Sequence, residues 1–127
     1  MATVTTAALK AVSALVGASF KYVAVGIGTT AESAAHTQLV SETTTVGLER
    51  TTGTLTYEDT THTDDTLQIV KTWTVTSAGA TVTEVMIGDN ASANTGTMLF
   101  RDKLTTARAL IAGDTYTLTA QAIFVDA

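Results

Sequence analysis

Few residues in this chain have the types and spacing that chemistry requires. Val25-Gly-Ile-Gly-Thr-Thr-Ala31 matches the G-x-G-x-x-A pattern of dinucleotide-binding loops. Glu49 follows about twenty residues later, where such folds place an acidic residue on the ribose. In that role the loop would leave a strand, open a helix and cradle a pyrophosphate within a parallel βαβ unit. Here the following segment is short and polar, and no strand–helix alternation comes after it. A tight turn leaving a strand accounts for the glycines, and no cofactor is expected.

Glu58-Asp-Thr-Thr-His-Thr-Asp-Asp65 gathers carboxylates around one histidine, a set that could ligate calcium or zinc. Its spacing fits no EF-hand loop and it supplies a single imidazole, so a solvated acidic turn is expected and no metal. Asp89, Asn90 and Asn94 offer a still weaker oxygen set in the 88–96 loop. A hydrolase needs a nucleophile, a base and an orienting group. The two histidines, His36 and His62, lie in polar loop sequence without a nucleophile elbow, and no catalytic residue is expected.

Two features point to structure instead. Glu84 and Arg101 both sit at strand positions flanked by apolar residues. Each is expected to be paired, with the other or with Arg50, or else both are unrelated surface charges. If partly buried, the pair would fix register or an interface more than it would add stability. Trp73, the only tryptophan, is expected in the core; exposed on a polar sheet face, it would instead suggest a carbohydrate- or receptor-binding module.

The composition narrows the classes further. A chain of 127 residues fits one domain, expected to span 1–127. There is no cysteine, which removes disulfides and thiolate chemistry, and no proline. The net charge of −5, with seven scattered basic residues, argues against a nucleic-acid partner. Threonine supplies roughly a quarter of the chain, and its β-branched side chain suits a pleated, half-exposed surface.

The elements follow from periodicity. Residues 4–16 are apolar around Lys10, too short for the roughly 18–20 residues of a membrane span, and the lysine is misplaced for a signal peptide. They read as an amphipathic helix within 1–17, capped by Thr5 or Thr6 and ended by Gly17. From residue 18 the period becomes two. Strands are expected over 20–25, 48–57 with Gly53 as a possible bulge, 66–76, 81–87, 97–101 and 114–125, with 104–112 mostly connection. Tyr116, Leu118, Ala120, Ala122 and Phe124 share one face of the last strand. The expected fold is all-β, an antiparallel, jelly-roll-like β-sandwich (18–127) with a short N-terminal α-helix. Its long threonine-rich edges are expected to pair with other copies in a symmetric homo-oligomer.

Several segments together carry a resemblance. Phe20-Lys-Tyr-Val-Ala-Val-Gly-Ile-Gly-Thr-Thr30, Gln38-Leu-Val-Ser-Glu42, Val82-Thr-Glu-Val-Met-Ile87, Gly96-Thr-Met-Leu-Phe-Arg101 and Gly113-Asp-Thr-Tyr-Thr-Leu-Thr119 follow the N-terminal helix in that order. The series resembles a family of small tailed-bacteriophage virion proteins, labelled tail-fibre, collar or head-decoration components. This chain departs from the family pattern at Ile27, at Met86-Ile87 and at Asn94-Thr95. The resemblance implies a non-enzymatic structural subunit of the virion, oligomeric and docked on capsid or tail subunits. Leu9, Val12, Leu15 and Val16 of the helix, with the register pair Glu84 and Arg101, are the residues expected to serve assembly.

Overall fold

Thr5 starts the first element. Its backbone is extended and its hydroxyl accepts the Ala8 N–H at 3.2 Å, the N-cap arrangement that satisfies a free amide of the first turn. Helix α1 then runs Thr6–Ser19, past Gly17. That glycine does not end the helix; it lets it sit close, because a Cβ there would lie 2.6 Å from the Tyr57 hydroxyl and 3.0 Å from Leu67.

The computed structural model describes residues 2–125. After α1 come β1 (Tyr22–Gly26), β2 (Thr51–Thr52), β3 (Thr54–Glu58), β4 (Thr66–Thr74), β5 (Thr81–Gly88), β6 (Met98–Ala109) and β7 (Thr115–Ile123). They form two antiparallel sheets, β2-β1-β5-β6 and β3-β4-β7. The fold is an all-β sandwich with an N-terminal helix. Val23, Val25, Val85 and Ile87 of the first sheet and Leu67, Ile69, Trp73 and Ala120 of the second belong to one buried core, joined by Leu48 and Val75.

Two further expectations change. The strand read over 48–57 is divided at Gly53: β2 pairs with β1, while β3 pairs with β4 in the other sheet. The residue suspected of bulging is the point where the chain changes sheets. The connection read over 104–112 is largely strand, since β6 reaches Ala109. Its sequence hides this because Glu84 pairs with Lys103 and Val82 with Arg108, so five steps along β6 answer two along β5. An interrupted strand with mostly exposed side chains has no steady period to read.

At β1 and β5 both faces of the first sheet are buried. Val85 and Ile87 face the sandwich core, while Glu84 and Met86 face outward yet have almost no exposed surface. The long connection 27–50 between β1 and β2 covers them, and Ala24, Leu39 and Met86 form a second small apolar cluster beneath it. A sheet face covered by irregular backbone needs partners for that backbone. The charged residues described below supply them.

The helix packs on β3 and β4 through Leu9, Ser13 and Gly17, with Val16 against the main core. Val12 and Leu15 point away, Leu15 being 71% exposed and Leu9 only 4%. Leu9→Ala is therefore expected to cost about 2–5 kcal/mol in urea denaturation, whereas Leu15→Ala stays within about 0.5 kcal/mol. The reverse ranking would mean that the helix presents its other face to the sheet.

Candidate functional site

Glu84 lies in the middle of β5, on the outer face of the first sheet, where water cannot reach it. Its Oε1 accepts the N–H groups of Gly28 (3.0 Å) and Ser41 (2.8 Å). Its Oε2 accepts the Val40 N–H at 3.0 Å and the Arg101 Nε–H at 2.7 Å. An ionised carboxylate has about four lone-pair directions; all are filled. Burial pushes this carboxyl up, but the donors of Ser41, Arg101, Val40 and Gly28 more than reverse that and hold it below the usual glutamate value.

The two glycines of the dinucleotide-like motif find their explanation here. A Cβ on Gly26 would lie 2.6 Å from Glu84 Oε1, and one on Gly28 only 2.5 Å from the same atom. The loop is shaped for close approach to an anion, as in the nucleotide-binding motif, but that anion is the chain's own carboxylate. Every strand pair among the described residues is antiparallel, so no parallel βαβ unit surrounds it there. Arg101 is committed in turn: Nη2–H donates to Thr30 O at 2.7 Å and Nη1 lies 3.3 Å from His36 Nδ1.

A second ion pair lies on the same face. Arg50 grips Glu42 in two parallel bonds of 2.8 Å, both side chains being all but inaccessible. Its other N–H groups donate to Asn90 O (3.2 Å), Thr95 O (3.0 Å) and Gln38 Oε1 (3.2 Å). The five donors of the guanidinium are all in use. Glu42 also accepts the Asn94 N–H at 2.9 Å. The 88–96 loop is thus anchored from below by Arg50. Its Asp89 and Asn90 oxygens accept the loop's own N–H and hydroxyl groups.

The acidic turn 58–65 is organised in the same way and is not simply solvated. Asp65 is buried and accepts the N–H groups of Thr60, Thr61 and His62 and the Thr66 hydroxyl, at 2.8–3.0 Å. Burial opposes its charge, yet the three backbone donors hold it well below the usual aspartate value. The neighbouring Asp64 ties the turn to α1, its carbonyl taking the Ser13 hydroxyl at 2.7 Å and its carboxylate meeting Lys10 at 2.8 Å. Among the described residues no cluster of three or more potential metal ligands forms.

Of the residues singled out from sequence, Glu84 and Arg101 are brought together, and Arg50 takes Glu42 as its partner. Leu9 and Val16 are used within the chain, and Val12 and Leu15 face outward. Trp73 is core, its indole N–H donating to Glu49 O at 2.9 Å, so it presents no aromatic platform. A cleft of about 360 Å³ lies over Arg101, lined also by Glu32, Ser33, His36, Met98 and Phe100. Asp65 was missed as an anchor; its signal was a carboxylate placed directly before an apolar strand, where a turn needs acceptors for its amides.

No family model, curated protein or solved structure matches this chain.

Glu84 and Asp65 each have a folded pKa below the unfolded value. The stability they confer is complete above the ordinary carboxyl range of about 3.9–4.3 and is lost as the pH falls through their folded values. The urea midpoint is expected to drop below about pH 4, with a shallower acid limb in Asp65→Asn. At neutral pH, Glu84→Gln is expected to cost about 3–5 kcal/mol, because it leaves Arg101 buried without its counter-charge. A loss under about 1 kcal/mol, typical of an exposed pair, would contradict the geometry.

Proposed function

We propose that this chain is a non-enzymatic structural subunit of a tailed-bacteriophage virion, of decoration, collar or fibre type, which self-associates and docks on capsid or tail subunits. One observation carries the reading. Four of the five segments that bear the resemblance lie together: β1, β5 and the first half of β6 are neighbours in one sheet, with 38–42 folded over them, while 113–119 leads into β7 of the other sheet. They contribute Gly26, Gly28, Glu42, Glu84 and Arg101 to the two ion-pair networks, which Arg50 completes. Together they form a clamp that fastens a long loop onto a sheet.

A clamp whose carboxylates and guanidinium groups are loaded with internal partners offers little to a substrate. It does give a subunit a rigid outer surface, which suits a protein that works by shape. Assembly in this reading is passive, many copies each burying a modest interface on a symmetric particle. The outward Val12 and Leu15 of α1 are available for docking, whereas Leu9, Val16, Glu84 and Arg101 act by holding the subunit together.

Mass spectrometry of purified particles of the phage encoding this chain tests the proposal. The expected result is that the chain co-purifies in constant ratio to capsid or tail subunits through a density gradient. Recovery only in the particle-free fraction would overturn the virion reading.

A further inference from the structure

A sandwich of two open sheets has four edges, and three of them carry recognised safeguards against pairing. The β2 edge is two residues long and the β3 edge five. The β6 edge is long, but it bears Asp102, Lys103 and Arg108, is offset between Lys103 and Arg108, and has its Lys103 N–H taken by the Glu32 carboxylate at 2.7 Å. The β7 edge has none of these. It runs nine residues, Thr115–Ile123, without charge, proline or bulge, in unbroken register with β4.

The direction of its free groups follows from the ladder. Phe124 N–H donates to Asp65 O and Val75 N–H to Asp114 O, so the even-numbered residues of this strand turn their backbone groups toward β4. In an antiparallel ladder the alternate residues face the other way. Thr115, Thr117, Thr119, Gln121 and Ile123 therefore direct their N–H and C=O groups away from the sheet, and among the described residues β7 has no neighbouring strand on that side.

The partner this edge fits is itself. We infer that β7 pairs antiparallel with β7 of a second copy about a two-fold axis at Thr119, joining the two three-stranded sheets into one of six strands. In that register Thr117 meets Gln121 and Thr115 meets Ile123 of the other copy, so all five outward residues fall in hydrogen-bonded pairs. On the core-facing side, Tyr116 falls opposite Ala122 and Leu118 opposite Ala120. The strand carries its bulky inward residues in the first half and its small ones in the second, so reversal about the axis sets large against small at every position. A two-residue shift toward the C-terminus would instead set Tyr116 against Phe124. The pairing also covers Leu118 and Tyr116, only half-buried at the open side of the sandwich.

This inference deepens the assembly part of the proposed function by naming the contact, and it does not depend on which particle carries the subunit. The chain has no cysteine, so single-cysteine variants test the register directly. Thr119→Cys places two thiols on the axis with Cα atoms about 5.5 Å apart, within disulfide range. Mild oxidation is expected to give a covalent dimer with Thr119→Cys and none with Thr54→Cys, on the far edge of the same face. Sedimentation of the Thr117→Lys/Gln121→Lys variant is expected to show association weakened about tenfold or more, and Thr117→Lys/Gln121→Glu to recover it, with unchanged circular dichroism throughout. A wild-type oligomer unaffected by these changes, with no Thr119→Cys cross-link, would overturn the β7 contact while leaving assembly through another surface. A wild-type monomer at all concentrations, again without the cross-link, would overturn self-association altogether.

Discussion

The buried carboxylate of Glu84 is the interaction on which the rest of this structure depends. A glutamate in the centre of a sheet is costly unless its charge is met on all sides. Here it is met by Arg101 from the adjacent strand and by three backbone amides of the loop that covers the sheet. The same group thus performs two tasks. It aligns β5 with β6, and it gives the irregular 27–50 segment the hydrogen-bond partners that irregular backbone lacks when it is buried. Without that anchor the outer face of the first sheet, including Met86 and Ala24, would lie open to water.

Asp65 and Glu42 repeat the device elsewhere. Each is an inaccessible carboxylate that accepts backbone N–H groups from a turn or loop, three at Asp65 and one at Glu42, and Glu42 adds a two-point grip on Arg50. In a chain with only 15% charged residues, several of the charges are spent inside, fastening connections to sheets. The outer face of the second sheet is correspondingly uncharged at its centre. Hydroxyls and amides there bond across strands, as between Thr72 and Thr117 and between Gln68 and Gln121. The chain invests its ionic groups in internal order and leaves a neutral, regular surface for contact.

Much of the sandwich was legible in the sequence, because alternation over 66–74, 81–88 and 115–123 reports a strand with two different faces. The pairing of Glu84 with Arg101 was legible for a related reason: charges at strand positions among apolar neighbours need a partner. Less legible was whatever depends on tertiary cover. The division at Gly53 looks like one strand until the two halves are seen to join different sheets. The second half of β6 has no steady period because of its offset from β5. The roles of Gly26 and Gly28 could be read only as a turn, since the anion they approach lies 56 residues or more further along the chain. The anchoring of the 58–65 turn by its final aspartate was hidden by ordinary turn composition, in which every acidic residue looks solvated.

Native-state hydrogen exchange of the Gly28, Val40 and Ser41 amides tests the central role of Glu84 most directly. If its carboxylate holds the 27–50 segment, these three amides exchange as slowly as the core amide of Val85 and lose protection together in Glu84→Gln, while β4 and β7 stay protected. Fast exchange of the three in the wild-type protein, with the strands still protected, would show that the loop is not held by the carboxylate and would contradict the account.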